Sequence, residues 1–314
     1  MLLMTHNDLD ALGSELVILS VFKVQKSFHT NYGDMREVVN EILSYQKATG
    51  EDTIYIADVS FSEEIRQEML GEICSAFSKI YLADHHQFPA SLKEKEWFKK
   101  IEFHHTIDYC ATKILYNLYK EKLPKKLEGL IEVINAYDVW ITKSKLFDFS
   151  QGLNDYFWFK TEATKAENRY RITDLANLII SLGYDLPADY VSVVEQCKEN
   201  HKREIKEVLD NKLLQRFNAK YKTTVILSWN SFNEIMIQEM KEGADFVIGI
   251  CNGIFKVRIS QETKFPADRL HEMRKFLTDN SEFGHEHAFT YKITKGDKEG
   301  IMTEVQKILT FINE

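Results

Sequence analysis

Aspartate and histidine, two residue types that bind metal ions, follow three short apolar runs in the amino-terminal third of the chain. Each run has the length and composition of a buried strand. The polar residues that follow these runs are Asp8 and Asp10, then Asp58, and finally Asp84, His85 and His86. Because the carboxyl ends of parallel strands meet at one edge of a sheet, we expect these side chains to share a crevice.

Carboxylates gathered in this way repel one another unless cations neutralise them, so the pattern predicts a metal centre. Oxygen-rich sites with few histidines suit Mn²⁺ or Mg²⁺ rather than a structural zinc ion, and shared carboxylates suit a pair of ions. Any single aspartate also has a simpler interpretation, with Asp8 as a helix cap or Asp58 as a strand end. Their repetition at successive strand ends favours the metal centre.

Predicted strands and helices alternate through the segment that carries these residues. The strands are predicted at residues 2–5, 22–29, 53–58 and 79–83, and the helices at residues 10–21, 35–46 and 62–77. Such alternation predicts an α/β fold with a doubly wound, mainly parallel sheet. The helices would then cover both faces of the sheet and leave the aspartates at its edge.

The remainder of the chain predicts a connector and a second, smaller domain. Mixed-sign charges at helical spacing predict a solvated connecting helix at residues 189–218. Strands then follow at residues 223–229, 246–251, 254–260 and 288–293, with helices at residues 231–241, 266–277 and 298–311. We therefore predict a catalytic domain at 1–188, a connector at 189–221 and a smaller α/β domain at 222–314.

The composition is that of a soluble protein, with 44% hydrophobic residues and a net charge of −8. A negative chain lacks the basic face that broad contact with duplex nucleic acid needs. We expect no membrane span and no signal peptide. The four cysteines are widely scattered in the sequence, which indicates reduced thiols rather than disulfides. The chain is therefore expected in the cytoplasm, and a short oligonucleotide or a mononucleotide stays compatible with its charge.

Four stretches, in order along the chain, resemble the motifs of the DHH phosphoesterases. They are residues 5–14 with their His-Asn-Asp-Leu-Asp sequence, residues 56–58, the triplet Asp84, His85 and His86, and residues 134–140. The opening motif, the Tyr-Asp-x-Trp sequence at 137–140 and residues 152–157 resemble more specifically the oligoribonuclease branch, the bacterial nanoRNases of type B. The resemblance covers most of the chain and implies a metal-dependent phosphoesterase.

The resemblance implies two divalent cations, with Mn²⁺ preferred and Mg²⁺ or Co²⁺ as alternatives. One ion would be bound by Asp8 and Asp58, and the other by Asp10, Asp58, His85 and Asp138. Asp58 would therefore be shared by both ions. His6 lies two residues before Asp8, closer than in many family members, and is still expected to reach a metal.

The catalytic residues implied by the resemblance are Asp10, Asp58, Asp84, His85 and His86. His86 would contact the substrate phosphate, and Asp84 would orient the neighbouring imidazoles. A water activated by the two ions would attack phosphorus, so that no protein nucleophile is required. His104 and His105 are alternative ligands, but we favour a strand end and helix cap for residues 104–108.

The last domain resembles the DHHA1-type domain, which holds the substrate in this family. Arg258 matches its phosphate-binding strand, and Gly284 and His285 match its glycine-rich loop, of which one glycine is present. Aromatic residues at Trp140 and 157–159 are explained by packing or by stacking on a base.

The implied reaction is hydrolysis of short single-stranded RNA to mononucleotides, and the chain is compatible with a homodimer. The alternative substrates are a cyclic dinucleotide and 3′,5′-bisphosphorylated adenosine. A non-catalytic nucleotide-binding protein is the alternative from a different class.

Overall fold

The computed structural model describes residues 1–62, 64–161, 165–228, 232–251, 254–260, 262–266, 268–269, 272–273, 288–292 and 298–314. Side chains are described for all of these except residues 165–171, 288–292 and 298–299. Contacts divide the chain into two compact units, Met1–Cys197 and Lys198–Glu314. The predicted boundaries at 188 and 222 stay predictions.

The first unit contains a parallel sheet of five strands in the order β2-β1-β3-β4-β5. The strands are β1 (Leu2–Thr5), β2 (Lys26–His29), β3 (Thr53–Ala57), β4 (Lys79–Asp84) and β5 (Ile101–His105). The helices are α1 (Leu9–Val21), α2 (Met35–Thr49), α3 (Glu64–Ala76), α4 (Ala90–Lys93), α5 (Ala111–Tyr119), α6 (Leu127–Asp138), α7 (Phe147–Thr161) and α8 (Lys165–Ser181). The predicted α/β class and parallel sheet are confirmed.

Both faces of this sheet are buried, which explains why its strands are continuous apolar runs. Leu3 and Tyr55 pack with α1 and α5 on one face. Leu2 and Ile54 pack with α2 and α3 on the other. Alternate residues of each strand therefore supply two separate cores.

The strand order reverses between β1 and β3, because the chain runs from β1 to β2 on one side and then crosses to β3 on the other. Sheets of this type bind ligands outside the carboxyl ends of the strands at such a reversal. Asp58 follows β3 directly, and Asp8 lies three residues after the end of β1. The topology thus brings together aspartates that lie fifty positions apart in the chain.

The predicted strand at residues 22–29 is too long at its start. Phe22 ends α1, with its backbone N–H bonded to the Ile18 carbonyl. Its ring packs against Tyr55 and Tyr119, with ring centroids 6.3 and 5.2 Å apart. An apolar loop residue that packs on the core therefore resembles a strand residue in the sequence.

The second unit contains a mixed sheet in the order β10-β9-β8-β7-β6. Its strands are β6 (Leu214–Asn218), β7 (Lys222–Ile226), β8 (Phe246–Cys251), β9 (Ile254–Ile259) and β10 (Ala288–Lys292). The helices of this part of the chain are α9 (Tyr190–Asp210), whose carboxyl-terminal part belongs to this unit, α10 (Phe232–Lys241) and α11 (Lys298–Asn313). Only β7 and β8 are parallel to each other among the described strands of this sheet. The predicted helix at 266–277 lies largely outside the described residues.

The prediction of one connecting helix over 189–218 is wrong at its end, because α9 stops at Asp210 and β6 follows. Strand β6 lies at the edge of the sheet, and its Arg216 guanidinium binds the buried Glu239 carboxylate with an Nε–Oε2 distance of 2.7 Å. Polar residues on an edge strand resemble the solvated face of a helix. Among the residues that the structure describes, no helix has the length and apolar composition that crossing a membrane requires.

Candidate metal centre

The His85 imidazole lies among three carboxylates at the carboxyl edge of the parallel sheet. Its Nε2 atom is 3.3 Å from Asp58 Oδ1, 3.4 Å from Asp138 Oδ2 and 3.9 Å from Asp10 Oδ2. These aspartates come from the turn after β3, the end of α6 and the start of α1. Four elements distant in sequence therefore direct ligand atoms to one point.

Two of these carboxylates have an oxygen that fits a cation. Asp58 Oδ2 and Asp138 Oδ2 are buried and have no hydrogen-bond partner among the described residues. Burial, together with the charges of Asp8 and Asp10, raises the pKa of both Asp58 and Asp138 well above the usual aspartate value. A cation would remove this repulsion, and the imidazole and carboxylate donors suit a divalent ion.

Asp58 has a left-handed backbone, with φ of 58°. This conformation costs an L-residue about 1–2 kcal/mol, and aspartate tolerates it better than most residues. The Asp58 N–H donates to the Ala83 carbonyl at 3.0 Å, so the ladder between β3 and β4 continues into the turn. Strained residues held by their surroundings are common at functional sites.

A second group of ligand atoms adjoins the first and also contains Asp58. His6 Nδ1 is 2.7 Å from Asp8 Oδ2, and donor atoms of His6, Asp8 and Asp58 lie within 4.8 Å of one another. Burial raises the pKa of Asp8, but the His6 imidazole and the Ala11 N–H outweigh burial and hold it below the usual value. Asp58 is therefore the residue that the two groups have in common.

Asp10 is anchored to the start of α5. Its Oδ2 accepts a hydrogen bond from the Ala111 N–H at 2.8 Å, and its Oδ1 accepts one from the Thr112 N–H at 2.9 Å. The Thr112 hydroxyl donates to the Asp10 carbonyl at 2.7 Å. Gly13 permits this close approach, since a Cβ there would lie 2.3 Å from Thr112 Oγ1. The anchor fixes the direction of the Asp10 carboxylate.

Asp84 and His86 form a pair, and His86 also lies with Asp58 and His85, the ligand atoms of these three residues being within 4.8 Å of one another. Asp84 is fully buried, and its Oδ1 is 2.8 Å from His86 Nδ1. Burial raises the pKa of Asp84, but the charges of His86 and His85 and the bond to His86 hold it below the usual value. The Asp84 carboxylate accepts the Nδ1–H of His86, so Nε2 is the ring nitrogen that does not bond to Asp84.

Comparisons with known proteins give the fold. No family model matches the chain. The DHH domain of PF0399, a member of the s1p family of ribosomal proteins, aligns over 100% of this chain and 87% of its own at 12% identity, with a TM-score of 0.67. The chain has the DHH fold. The fold that the resemblance implies is therefore confirmed.

Two further structures share the DHH fold. The pGpG-specific phosphodiesterase PggH from Vibrio cholerae aligns over 99% of this chain and 98% of its own, with 12% identity and a TM-score of 0.59. RecJ from Thermus thermophilus, in complex with Mn²⁺, covers 99% of this chain and 52% of its own, with 15% identity and a TM-score of 0.55.

Two proteins of known activity are similar in sequence. Oligoribonuclease NrnB of Bacillus subtilis is 30% identical over 165 residues, which span 50% of this chain and 41% of the relative. A 3′,5′-cyclic-nucleotide phosphodiesterase of Helicobacter pylori is 30% identical over 165 residues, spanning 47% of this chain and 46% of the relative. The matched segment is thus less than half the length of either relative.

The first unit also places residues at this centre that the sequence did not assign to it. The Cys110 thiol lies with Asp10 and Asp138, and the three ligand atoms are within 4.8 Å of one another. The only sequence signal was its position directly before a predicted helix.

Tyr32 and Arg66 adjoin the second group of ligand atoms. Tyr32 stacks on His6 with ring centroids 5.2 Å apart, and the Arg66 guanidinium carbon lies 4.2 Å from the Tyr32 ring centroid. Burial and the charges of Asp58 and Asp84 raise the pKa of the Tyr32 hydroxyl.

His104 and His105 belong to none of the described groups of ligand atoms. His104 Nε2 is 3.0 Å from Glu102 Oε1, and His105 Nε2 donates to the His86 carbonyl at 2.6 Å. The expected strand end is present, because β5 ends at His105. The expected helix cap at 104–108 is wrong, because α5 begins at Ala111 after Cys110, whose backbone N–H binds Asn135 Oδ1.

The expected substrate-binding residues belong to the second unit. Arg258 lies on β9, and its neighbour Lys256 projects from the same face of that strand. Burial and the charge of Arg258 lower the pKa of Lys256, which indicates two cations close together. Gly284 and His285 lie outside the described residues, so their assignment stays a prediction.

Proposed function

We propose that this chain is a divalent-metal-dependent phosphodiesterase that hydrolyses short oligoribonucleotides or other small nucleotides. The observation that carries the proposal is the convergence of Asp58, Asp138 and His85, with two buried carboxylate oxygens that fit a cation. The position of this centre, at the strand reversal of a parallel sheet, supports it independently.

The names of the similar proteins support the same class of reaction. One relative is an oligoribonuclease, another is a cyclic-nucleotide phosphodiesterase, and one structure of the same fold is specific for pGpG. These substrates share a phosphodiester bond between small groups. The bond type is therefore the best supported part of the proposal, and the identity of the nucleotide is the part that an experiment has to decide.

The proposed roles of the chain's own residues follow from their contacts. Asp58, Asp138 and His85 hold a divalent cation, and Asp10 joins them from its anchor on α5. A bound divalent cation lowers the pKa of its water and stabilises negative charge on phosphate oxygens. His86 is held by Asp84 so that Nε2, the ring nitrogen away from that carboxylate, contacts the phosphate.

We propose two cations, because His6 and Asp8 form a second group that shares Asp58 with the first. Mn²⁺ is preferred, since a protein of this fold has been solved with Mn²⁺ and the donors are carboxylate and imidazole. Arg258 is proposed to bind substrate phosphate, for which a guanidinium is well suited. A homodimer and a cytoplasmic location stay predictions from the sequence.

The test is hydrolysis of bis-p-nitrophenyl phosphate and of linear dinucleotides to pentanucleotides, each with and without Mn²⁺. Asp58→Asn keeps the size of the side chain and removes its charge. We expect it to lower Mn²⁺-dependent turnover by at least about 1,000-fold, or about 4 kcal/mol. Asp185→Asn, at an exposed aspartate that pairs with Lys126, is the matched control. Normal turnover by Asp58→Asn would contradict the proposal.

A second candidate, a cyclic-nucleotide phosphodiesterase, is favoured by the similarity to the Helicobacter pylori enzyme. The same assay should therefore include 3′,5′-cyclic nucleotides, cyclic dinucleotides and 3′,5′-bisphosphorylated adenosine. The substrate with the highest kcat/KM decides between the two candidates. Cation binding without turnover of any of these compounds would favour a non-catalytic nucleotide-binding protein instead.

A further inference from the structure

Cys110 is held rigidly between two helices of the first unit. It directly precedes α5, and its backbone N–H donates to Asn135 Oδ1 on α6 at 3.0 Å. Its side chain is fully buried. Asn135 lies one helical turn before Asp138 on the same helix, so one element positions both the thiol and the carboxylate.

The Cys110 sulfur lies next to two carboxylates that also face His85. Ligand atoms of Asp10, Cys110 and Asp138 are all within 4.8 Å of one another. His85 Nε2 approaches the same pair, at 3.9 Å from Asp10 and 3.4 Å from Asp138. The thiol and the imidazole therefore have two carboxylate neighbours in common.

An independent observation points to a cation here. Asp58 is 1% exposed, its Oδ1 is 3.3 Å from His85 Nε2, and its Oδ2 has no hydrogen-bond partner among the described residues. The Cys110 thiol hydrogen-bonds the Asp10 side chain, a contact that a small apolar residue would not make. Sulfur differs from oxygen in binding soft cations such as Zn²⁺ and Cd²⁺ far better than Mn²⁺ or Mg²⁺.

We infer that Cys110 is a metal-selective ligand that, with Asp10, His85 and Asp138, forms a site for thiophilic divalent cations. When such a cation binds, the sulfur–metal bond forms, the S–H bond breaks and the proton leaves to solvent. Mn²⁺ and Mg²⁺ use the oxygen and imidazole donors and do not need the sulfur. The inference rests on the metal centre of the proposed function and makes Zn²⁺ and Cd²⁺ competitors of Mn²⁺ at that centre.

The test uses Cd²⁺, because a cadmium–thiolate bond has an ultraviolet charge-transfer band that carboxylate ligands lack. The full chain carries Cys197→Ser and Cys251→Ser in every protein compared, since these two cysteines are only half-buried. Cys110→Ser and Cys110→Ala each remove the thiol. Cys74→Ser is the matched control, because Cys74 is equally buried but packs in the apolar core on the opposite face of the sheet.

We expect one cadmium–thiolate band in the parent protein and in Cys74→Ser, and none in either Cys110 variant. Cd²⁺ affinity, measured by competition with a chelator, should fall at least about tenfold in both Cys110 variants, since loss of even an outer partner of a metal site often costs that much. Mn²⁺ affinity, measured by electron paramagnetic resonance, should change less than about threefold, since hard ions gain little from sulfur.

Several results would overturn the inference. They are a band that persists in Cys110→Ser, an absent band in the parent protein, or equal Cd²⁺ affinity in all four proteins. Loss of both Mn²⁺ and Cd²⁺ binding in the two Cys110 variants would assign Cys110 a structural role and overturn it as well. A parent protein that shows the band but binds no Mn²⁺ would contradict the proposal that Mn²⁺ is the ion of this centre. It would still establish Cys110 as a thiolate ligand.

Discussion

The two units of this chain carry their polar residues in different ways. In the first unit the acids lie at the edge of a parallel sheet with both faces buried, and four elements hold them in fixed directions. In the second unit Lys256 and Arg258 project from one face of a strand in a mixed sheet. The first arrangement directs ligand atoms from four elements to one point, whereas the second presents positive charge along one face of a strand.

This difference predicts that substitutions in the two units will change different kinetic parameters, which can be tested. Reactions need donors at set distances, so changes in the first unit should alter turnover and cation binding together. If the charged strand face binds substrate as proposed, changes there should alter KM with cation affinity unchanged. The following predictions run from the largest expected effect to the smallest.

His85→Ala should abolish the chemistry. The substitution removes the imidazole that faces Asp10, Asp58 and Asp138, so we expect kcat/KM to fall at least about 1,000-fold, or about 4 kcal/mol. Mn²⁺ binding followed by calorimetry should weaken in parallel. The control is His104→Ala, at a histidine whose partner is the surface residue Glu102. Retained Mn²⁺ affinity in His85→Ala would contradict the proposal that this centre binds the cation.

Gly13→Ala should destabilise the first unit. The new Cβ would lie 2.3 Å from Thr112 Oγ1 and 2.8 Å from Ile134 Cδ1, where the anchor of Asp10 leaves no room. We expect the free energy of unfolding to fall by about 3 kcal/mol, as measured by urea titration. Gly129→Ala, on α6 with nothing within 4 Å of the new Cβ, should instead gain up to about 1 kcal/mol. Equal effects of the two changes would contradict the close approach of α1 and α5.

Arg258→Ala should raise KM for the best nucleotide substrate and leave Mn²⁺ affinity unchanged. Hydrogen bonds from a charged group contribute about 1.5–3 kcal/mol, which corresponds to an increase of about 10- to 150-fold. Arg203→Ala, at an exposed arginine of α9, tests for a general loss of positive charge. If Arg258→Ala lowers kcat and cation affinity rather than raising KM, the division between the two units does not hold.

The metal-free protein should lose stability as pH rises above the ordinary aspartate pKa of 3.8 and through the raised folded-state pKa of Asp58 and of Asp138. Asp58 and Asp138 have a folded-state pKa above the ordinary 3.8, so their stabilisation is complete below that value and is lost as pH rises through the folded pKa. Asp8 and Asp84 have a lowered pKa and titrate below 3.8, outside this window. The double variant Asp58→Asn, Asp138→Asn should flatten the dependence of the melting temperature on pH. A slope as steep as that of the wild type would refute this assignment.

The stabilisation that Mn²⁺ gives to the protein should increase with pH, whereas the stability of the metal-free protein should decrease. If Asp58 and Asp138 bind the cation as proposed, protons compete with it there, so added Mn²⁺ should raise the melting temperature more at pH 8 than at pH 5. A larger increase at pH 5 would indicate that other groups bind the ion.

The strand ends of the first unit could be predicted from the sequence because their information is local. Each buried strand is an apolar run, and the residue after it is polar, so Asp58 and Asp84 could be placed without any knowledge of contacts. Asp138 is different, because it ends a helix and only its motif linked it to the others. Strand β6 could not be predicted, because it is an edge strand with the polar residues Gln215, Arg216 and Asn218.

Contacts between distant residues could not be predicted. Nothing in the local sequence of Cys110 shows that its sulfur lies beside Asp10, one hundred positions earlier. The left-handed turn at Asp58 was equally hidden, because aspartate is compatible with both ordinary and left-handed backbone. The sequence therefore indicates which residues are able to bind a metal or to catalyse a reaction. Packing between α1, α5 and α6 decides which of them lie close together.

The anchor of Asp10 also has a consequence for how the protein folds. Its carboxylate accepts hydrogen bonds from residues 101 and 102 positions later in the chain. Closing so large a loop is slow, because entropy is lost before the contact is made. A growing chain on the ribosome would therefore carry the Asp84, His85 and His86 triplet long before it could hold a cation. If the proposed centre binds a cation, capture of the first ion would report that α6 had emerged and packed, before α7 and α8 complete the unit.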